Sequence, residues 1–298
     1  MRVIVTGSSG LIGGVLLSSL RDEGHEAVPL VRRPPRAGEA HWDPASGAID
    51  VTALEGCDAV VNLAGVGIAE RRWSAARKEA ILRSRIESTR FLCETLVGLT
   101  SRPRALVNAS AIGFYGNRSD EVLTEDSAPG TGFLAEVCQA WEATTAPAEK
   151  AEVRVVHLRT AVVLARHGGV LARQLPLFRL GLGGRLGRAD RWFSWISLRD
   201  EVRAIRHILG EGSLVGAVNC SSPAPVTNIQ FTRALGRALH RPAVLVVPRS
   251  ALRLALGREL ADELALASQR VVPTRLAASG FTFEDPSIDG ALAAILAS

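Results

Sequence analysis

The chain has 298 residues, of which 47% are hydrophobic and 22% charged, and a formal net charge of +5. This is the composition of a soluble globular protein, long enough to bury the core of one large domain or two modest ones. The four cysteines stand far apart without a CxxC, no window reaches the roughly 18 apolar residues of a membrane span, and the basic residues are scattered and nearly all Arg, so a zinc site, a membrane span and a nucleic-acid face are not expected.

Arg2–Thr6 (RVIVT) reads as a buried strand, rich in β-branched residues. GSSGLIG at residues 7–13 is a turn opening a helix over Leu11–Glu23, whose apolar residues Leu11, Val15, Leu16 and Leu20 recur near helical spacing before Gly24 stops it. A second strand is predicted over Glu26–Val31, a third over Asp58–Ala64, and a long helix over Trp73–Leu99. A strand over Arg104–Ala109, a helix over Phe133–Glu149 and a strand over Val153–Leu158 follow. This alternation predicts an α/β fold, a doubly wound parallel Rossmann sheet with a smaller C-terminal α/β region. Residues 1–165 form the dinucleotide-binding domain on this reading, with the sheet completed by about 196–222. Residues 166–195 and 223–298 form the substrate-side region. In the latter, WFSWISLRDEVRAIRHIL is a strand running into a helix, and GAVNCSSPAPVTNIQF is a strand, a loop and a helix capped by Thr227 or Asn228.

Gly7, Gly10 and Gly13 form GxxGxxG between a strand and an amphipathic helix. The first permits a tight turn, the second lets backbone approach a diphosphate, and the third lets helix and strand pack closely, while free amides at the helix start face the phosphates. Arg32 and Arg33 follow the second strand, where an NAD site usually places an acid; the nearest acid downstream is Glu39. An arginine there suits a ribose 2′-phosphate, which points to NADP(H), and Arg32, nearer the strand end, is the expected contact. NLAG at Asn62–Gly65 closes the third strand with small residues against which a cofactor can lie.

TGSSGLIG, NLAG, the strand ending NAS and the following YG resemble the extended short-chain dehydrogenase/reductase superfamily. More closely, RRWSAARKEAILRSRIEST, SAIGFYG, FLAEVCQAWE, RWFSWISLRDEV and VNCSSPAPVTNIQF resemble its atypical epimerase family, the SDR39U1-like subgroup. The tail from LGRELADELALASQRVV resembles that subgroup's C-terminal domain of unknown function. The resemblance implies that Gly7, Ser9, Gly10, Leu11 and Ile12 meet the diphosphate and Val31 and Arg32 the adenosine end. It implies that Leu63 and Ala64 line the cofactor, that Arg85 stands near it, and that Val162 approaches the nicotinamide.

The chain departs from the superfamily in its acid–base pair. A YxxxK motif anchored on Glu142 falls on Leu134 and Cys138, and one tyrosine with two lysines (Lys78 and Lys150) cannot make the motif anywhere. Tyr115, just past a strand end, is the first candidate for a surrogate acid or substrate contact, and Ser110 for a hydrogen bond to substrate oxygen. Trp192 and Trp195, with Arg188 and Arg191 before them, suit an anionic or ring-bearing ligand. The expected function is an NADP(H)-dependent oxidoreductase or epimerase-like enzyme acting on an unidentified small molecule in the cytoplasm, with homodimerisation allowed. The alternatives are a non-catalytic NADP(H)-binding sensor or scaffold and a conventional NAD-dependent nucleotide-sugar epimerase. The missing YxxxK counts against the last.

Overall fold

In the computed structural model, which describes residues 1–297, the chain begins with β1 (Arg2–Thr6), a strand buried along nearly its whole length. It turns into α1 (Leu11–Asp22), which buries Leu16, Leu17 and Leu20 on the sheet, and returns as β2 (Glu26–Val31). A hairpin follows, β3 (Ala40–Asp43) with β4 (Ala48–Ile49), then one turn of helix, α2 (Val51–Leu54), and β5 (Ala59–Asn62). Helix α3 (Ala75–Gly98), capped by the Ser74 side chain on the Arg77 amide, crosses to β6 (Ala105–Ala111). A 3-10 turn over Ile112–Tyr115 and the short β7 (Val122–Leu123) precede α4 (Phe133–Ala143) and α5 (Ala146–Lys150). The single helix expected over Phe133–Glu149 is thus two. Thr144 and Thr145 turn the chain between them, and Pro147, which cannot donate within a helix, starts the second.

The chain then forms β8 (Arg154–Thr160), β9 (Val162–Ala165), α6 (Gly169–Arg179), β10 (Gly184–Leu186), β11 (Trp192–Phe193), β12 (Trp195–Ser197), α7 (Leu198–Gly210) and β13 (Gly216–Cys220). Eight strands make the central sheet in the order β13-β8-β6-β5-β1-β2-β3-β4, parallel throughout except β4. The order reverses at β1, so the sheet is doubly wound and its crevice opens at the C-terminal ends of β1 and β5. Two apolar layers cover it. One packs α1 and α7 on residues such as Val3, Val5, Val107 and Val218; the other packs α3 on Ile4, Val60, Leu106 and Val155.

The remaining elements are β14 (Val226–Thr227), α8 (Asn228–Ala238), β15 (Leu245–Val247), α9 (Arg249–Leu256), α10 (Arg258–Leu260), a π-helical turn over Ala261–Ala265, β16 (Arg270–Val271), α11 (Thr274–Ala278) and α12 (Ile288–Ala297). Thr227 caps α8 in a reciprocal box with Gln230. A third core gathers Leu171, Phe178, Trp195, Phe231, Leu235 and Leu292 from α6, β12, α8 and α12. Among the described residues no helix is long and apolar enough to cross a membrane.

Candidate functional site

The turn after β1 is built for close backbone approach. Gly7 has a φ of +66°, and a Cβ there would lie 2.5 Å from the Leu63 carbonyl oxygen. A Cβ on Gly13 would lie 2.4 Å from the Gly7 carbonyl oxygen, so the first turn of α1 packs directly over the loop. Gly10 is the N-cap; no side chain caps it and no acid stands in the first turn. The leading amides of Leu11, Ile12 and Gly13 therefore face outward without an internal acceptor, the arrangement that holds an anion at a helix start. Across the crevice the Leu63 and Ala64 amides both donate to the Thr6 hydroxyl, at 3.1 and 3.2 Å, which ties the end of β5 to β1.

Beyond β2 the two arginines part. Arg33 makes a bidentate pair with Glu39 at 2.7 and 2.6 Å, and that bond holds the Glu39 carboxyl down to about 2. Arg32 is exposed and makes no hydrogen bond or ion pair among the described residues. Glu39 is thus engaged, Asp43 lies within electrostatic reach of Arg32 without an ion pair to it, and one guanidinium is left unpaired at the adenosine end among the described residues. An uncapped helix start, a cradle that any Cβ would fill and a free guanidinium together fit a phosphorylated dinucleotide.

Arg85 projects from α3 beside Gly65; a Cβ on Gly65 would sit 3.3 Å from its guanidinium carbon. Its Nη1 donates to the carbonyls of Val66 (3.1 Å) and Ile81 (3.0 Å), and the guanidinium lies 5.0 Å from the Trp141 ring. Gly7, Leu63, Ala64, Gly65 and Arg85 therefore form one wall. Val162 stands apart from it, at the start of β9 and paired with Trp195 of β12.

The two residues expected to act on substrate are brought together, but in a closed network. Tyr115 is fully buried. Its hydroxyl donates to Asn219 Oδ1 at 2.7 Å and accepts from Arg159 Nη1 at 3.0 Å. Burial raises the phenol's pKa against the pull of Arg159. The Ser110 hydroxyl, 5% exposed, donates to Glu142 Oε1 at 2.7 Å, and Glu142 holds Arg159 with both oxygens at 2.9 Å. Phe114 covers the guanidinium at 3.5 Å. Burial works against the charge on Arg159, but its bonds to Glu142 outweigh it and the group stays above its ordinary range. Both hydroxyls expected to meet substrate are thus bonded to buried partners.

The sheet register explains why these groups meet. Ser110, Arg159 and Asn219 are neighbours across β6, β8 and β13, and two residues earlier Thr6, Asn62, Asn108 and His157 form another row. Parallel strands in register present such residues on one face. The earlier row is also satisfied internally, with Asn62 Nδ2 donating to Asn108 (2.7 Å) and Thr89 (3.0 Å). In the sequence Arg159 and Asn219 are polar interruptions of apolar strands and Glu142 is the anchor for the YxxxK search; nothing in their spacing links the three.

Cys138, at the place a YxxxK lysine would take, is a buried thiol whose pKa burial pushes up to about 11. Cys57 and Cys93 are raised likewise to about 11 and about 12, and Cys220 well above its ordinary value. The folded protein is therefore expected to be unreactive toward a disulfide dye at pH 8 and to release four thiols on denaturation. Prompt reaction of one thiol in the native state would contradict the burial. Among the described residues no group of three His, Cys, Asp or Glu is placed to hold a metal ion.

Of the residues expected to face substrate, Trp195 is core, and its indole donates to the Ala224 carbonyl. Arg188 is exposed and paired with Asp190. Arg191 differs: burial presses it down to about 10, its Nε is buried without a partner, and its Nη1 donates to the Ala267 carbonyl at 2.9 Å. Sequence reasoning missed Glu263 altogether. From the π-helical turn its two oxygens accept the Phe133 and Leu134 amides at 3.0 and 2.8 Å, capping α4 from the far end of the chain. Lys78–Glu259 (3.0 Å) and Arg72 on the Leu254 and Ala255 carbonyls tie the same region of the C-terminal segment to the first turn of α3 and the loop before it.

The model of the NAD dependent epimerase/dehydratase family matches residues 3–220, and that of a domain of unknown function, DUF1731, residues 247–295. The chain is 48% identical over 291 residues to the epimerase family protein Mb2239 of Mycobacterium bovis, covering 97% of this chain and 96% of that one. The crystal structure of human epimerase family protein SDR39U1 (isoform2) with NADPH superimposes with a TM-score of 0.91 at 34% identity, over 99% of each chain. A nucleoside-diphosphate sugar epimerase from Corynebacterium glutamicum gives a TM-score of 0.81 at 37% identity, over 99% of this chain and 58% of that one.

Proposed function

The chain belongs to the NAD dependent epimerase/dehydratase family, and from that premise we propose that it is an NADP(H)-dependent oxidoreductase or epimerase-like enzyme working without a tyrosine–lysine pair on a small anionic molecule. The observation that carries the cofactor assignment is the pairing of an uncapped α1 start with an unpartnered Arg32. Gly7, Ser9, Gly10, Leu11, Ile12 and Gly13 hold the diphosphate; Val31 and Arg32 hold the adenosine end; Leu63, Ala64 and Gly65 line the crevice, with Arg85 beside the cofactor, and Val162 approaches the nicotinamide. NADP(H) supplies the hydride chemistry when bound. The binding of NADPH to a relative of the same length and fold supports the reading. The anionic substrate is supported by Arg191, a desolvated guanidinium with no carboxylate partner among the described residues.

Calorimetry tests the assignment. NADPH is expected to bind more tightly than NADH by a factor on the order of 10 to 150, the worth of a charge-assisted hydrogen bond, and Arg32→Ala to narrow the gap. Equal affinities in the native protein would overturn it. A second reading, a non-catalytic NADP(H) sensor or scaffold, is favoured by the internal bonding of Tyr115 and Ser110. Loss of nicotinamide absorbance with any of a panel of carbonyl compounds would decide for the enzyme.

A further inference from the structure

We propose that the rim formed by the end of α6, the loop after it and the segment joining α8 to β15 is a docking surface for an anionic phospholipid bilayer. The sequence gathers charge there. No Asp or Glu occurs between Glu152 and Asp190 or between Glu211 and Glu259, and these two stretches carry thirteen arginines in a chain whose net charge is +5. The remainder of the chain is therefore net acidic. Apolar surface is gathered in the same stretches. Of the thirteen large apolar side chains exposed among the described residues, six lie in 177–182 and 244–246, with Leu180 73% and Val244 79% exposed. A patch of this kind marks a contact surface.

The fold joins the two stretches. The Leu245 amide donates to the Gly183 carbonyl (3.3 Å), Arg241 Nε donates to the Arg179 carbonyl (3.0 Å), and β15 pairs with β10. Between α8 and β15 lies a cavity of about 790 Å³, lined by Arg185, Arg233, Arg237 and Arg241 over Ile229 and Leu245. Arg233 and Arg179 are exposed, and their side chains make no hydrogen bond or ion pair among the described residues. Arg185 and Arg241 bond only to carbonyls, which orient a guanidinium without neutralising it. Arg237 alone meets an acid, Asp289, in an exposed pair. Like charges one helical turn apart, as Arg233 and Arg237 are, repel, so the cluster is relieved by an anion.

Chemistry selects the partner. Guanidinium forks match phosphate oxygens. A nucleic acid would use them too, but it calls for aromatic platforms under its bases, and no Phe, Tyr or Trp is among the exposed large apolar residues described. A second copy across a two-fold axis would set arginines against arginines, with no carboxylate in either stretch to receive them. A bilayer surface takes both halves of the patch: headgroup phosphates at the arginines, and the Leu and Val side chains at the acyl boundary. No described helix crosses a membrane, so the contact is with the surface.

The test is co-sedimentation of the full chain with vesicles of phosphatidylcholine alone and of phosphatidylcholine mixed with phosphatidylglycerol. The protein is expected to bind the mixed vesicles and not the neutral ones, and to be released as salt rises. Arg179→Gln/Arg233→Gln, which breaks no side-chain bond within the described chain, is expected to weaken binding by about fivefold for each guanidinium removed. Leu180→Ser/Val244→Ser is expected to weaken it at low and high salt alike, because it removes the inserted apolar groups. Urea midpoints equal to that of the native protein show that the variants are folded. Binding to neither vesicle, equal binding to both, or binding that both variants leave unchanged would overturn the proposal. So would a dimer, seen by light scattering without vesicle binding, that Leu180→Ser/Val244→Ser dissociates.

Discussion

Arg159→Met is expected to lower the free energy of unfolding by about 3–5 kcal/mol, the cost of stranding one partner of a buried ion pair. Against a total of roughly 5–15 kcal/mol for a domain, that is a large fraction. The reason lies in what Arg159 satisfies at once. It donates to both oxygens of Glu142, to the Tyr115 hydroxyl and to the Glu125 carbonyl, from a side chain only 6% exposed. Without it, Glu142 keeps only the Ser110 hydroxyl as a donor, and the carboxylate stays in a nearly dry site. The double variant Arg159→Met/Glu142→Leu removes both charges and is expected to recover most of the loss, because well-packed apolar residues often replace a buried pair without penalty. Urea midpoints of the three proteins measure this. A single variant within about 1 kcal/mol of the native protein, where exposed pairs fall, would show that the network is far wetter than its burial says. Such a result would reopen Tyr115 and Ser110 as groups that meet substrate.

The same network shows where a sequence stops being readable. GxxGxxG was legible because its meaning is local: Gly7 and Gly13 touch within one turn, and strand, turn and helix follow one another in the chain. The split between Arg32 and Arg33 was half legible; the strand end pointed to Arg32, while the engagement of Glu39 by Arg33 needed coordinates. Tyr115 stands out in the sequence as the one tyrosine, just past a strand end. Its burial depends on Asn219, 104 residues away, and Arg159, 44 residues away, and no spacing rule links them. The hairpin β3–β4 escaped because Trp42 alone stands out in a polar, glycine-bearing stretch. Glu263 escaped because its worth comes from the amides of α4, about 130 residues away. Local chemistry is written in the chain in order; chemistry assembled from three strands is written only in their register.

Glu201→Gln is expected to flatten the pH dependence of stability between about pH 4.5 and 8. Glu201 sits in the first turn of α7, fully buried, with Oε1 accepting the Thr160 hydroxyl at 2.8 Å and Oε2 without a partner. Among the described residues no cation pairs with it. Burial therefore raises its carboxyl from 4.5 to about 8, with the Thr160 bond pulling only weakly the other way. In the unfolded chain the group gives up its proton near the ordinary value, whereas the folded chain holds it. Above pH 4.5 the native state thus binds more protons than the unfolded state, and stability falls as pH rises, until the folded group itself ionises near 8. The stabilisation is complete below about 4.5, and up to about 5 kcal/mol of it is lost across that window, at 1.36 kcal/mol per unit. Glutamine keeps an acceptor for Thr160 and cannot ionise. His157, a buried imidazole kept neutral mainly by desolvation, contributes its own slope in both proteins, so the difference between the two curves isolates Glu201. Urea midpoints at pH 5, 6.5 and 8 provide the measurement. The native protein should lose midpoint steadily and the variant much less. Parallel curves would mean that Glu201 ionises in the folded state near its ordinary value, which a carboxyl sealed between α7 and the end of β8 has no partner to permit.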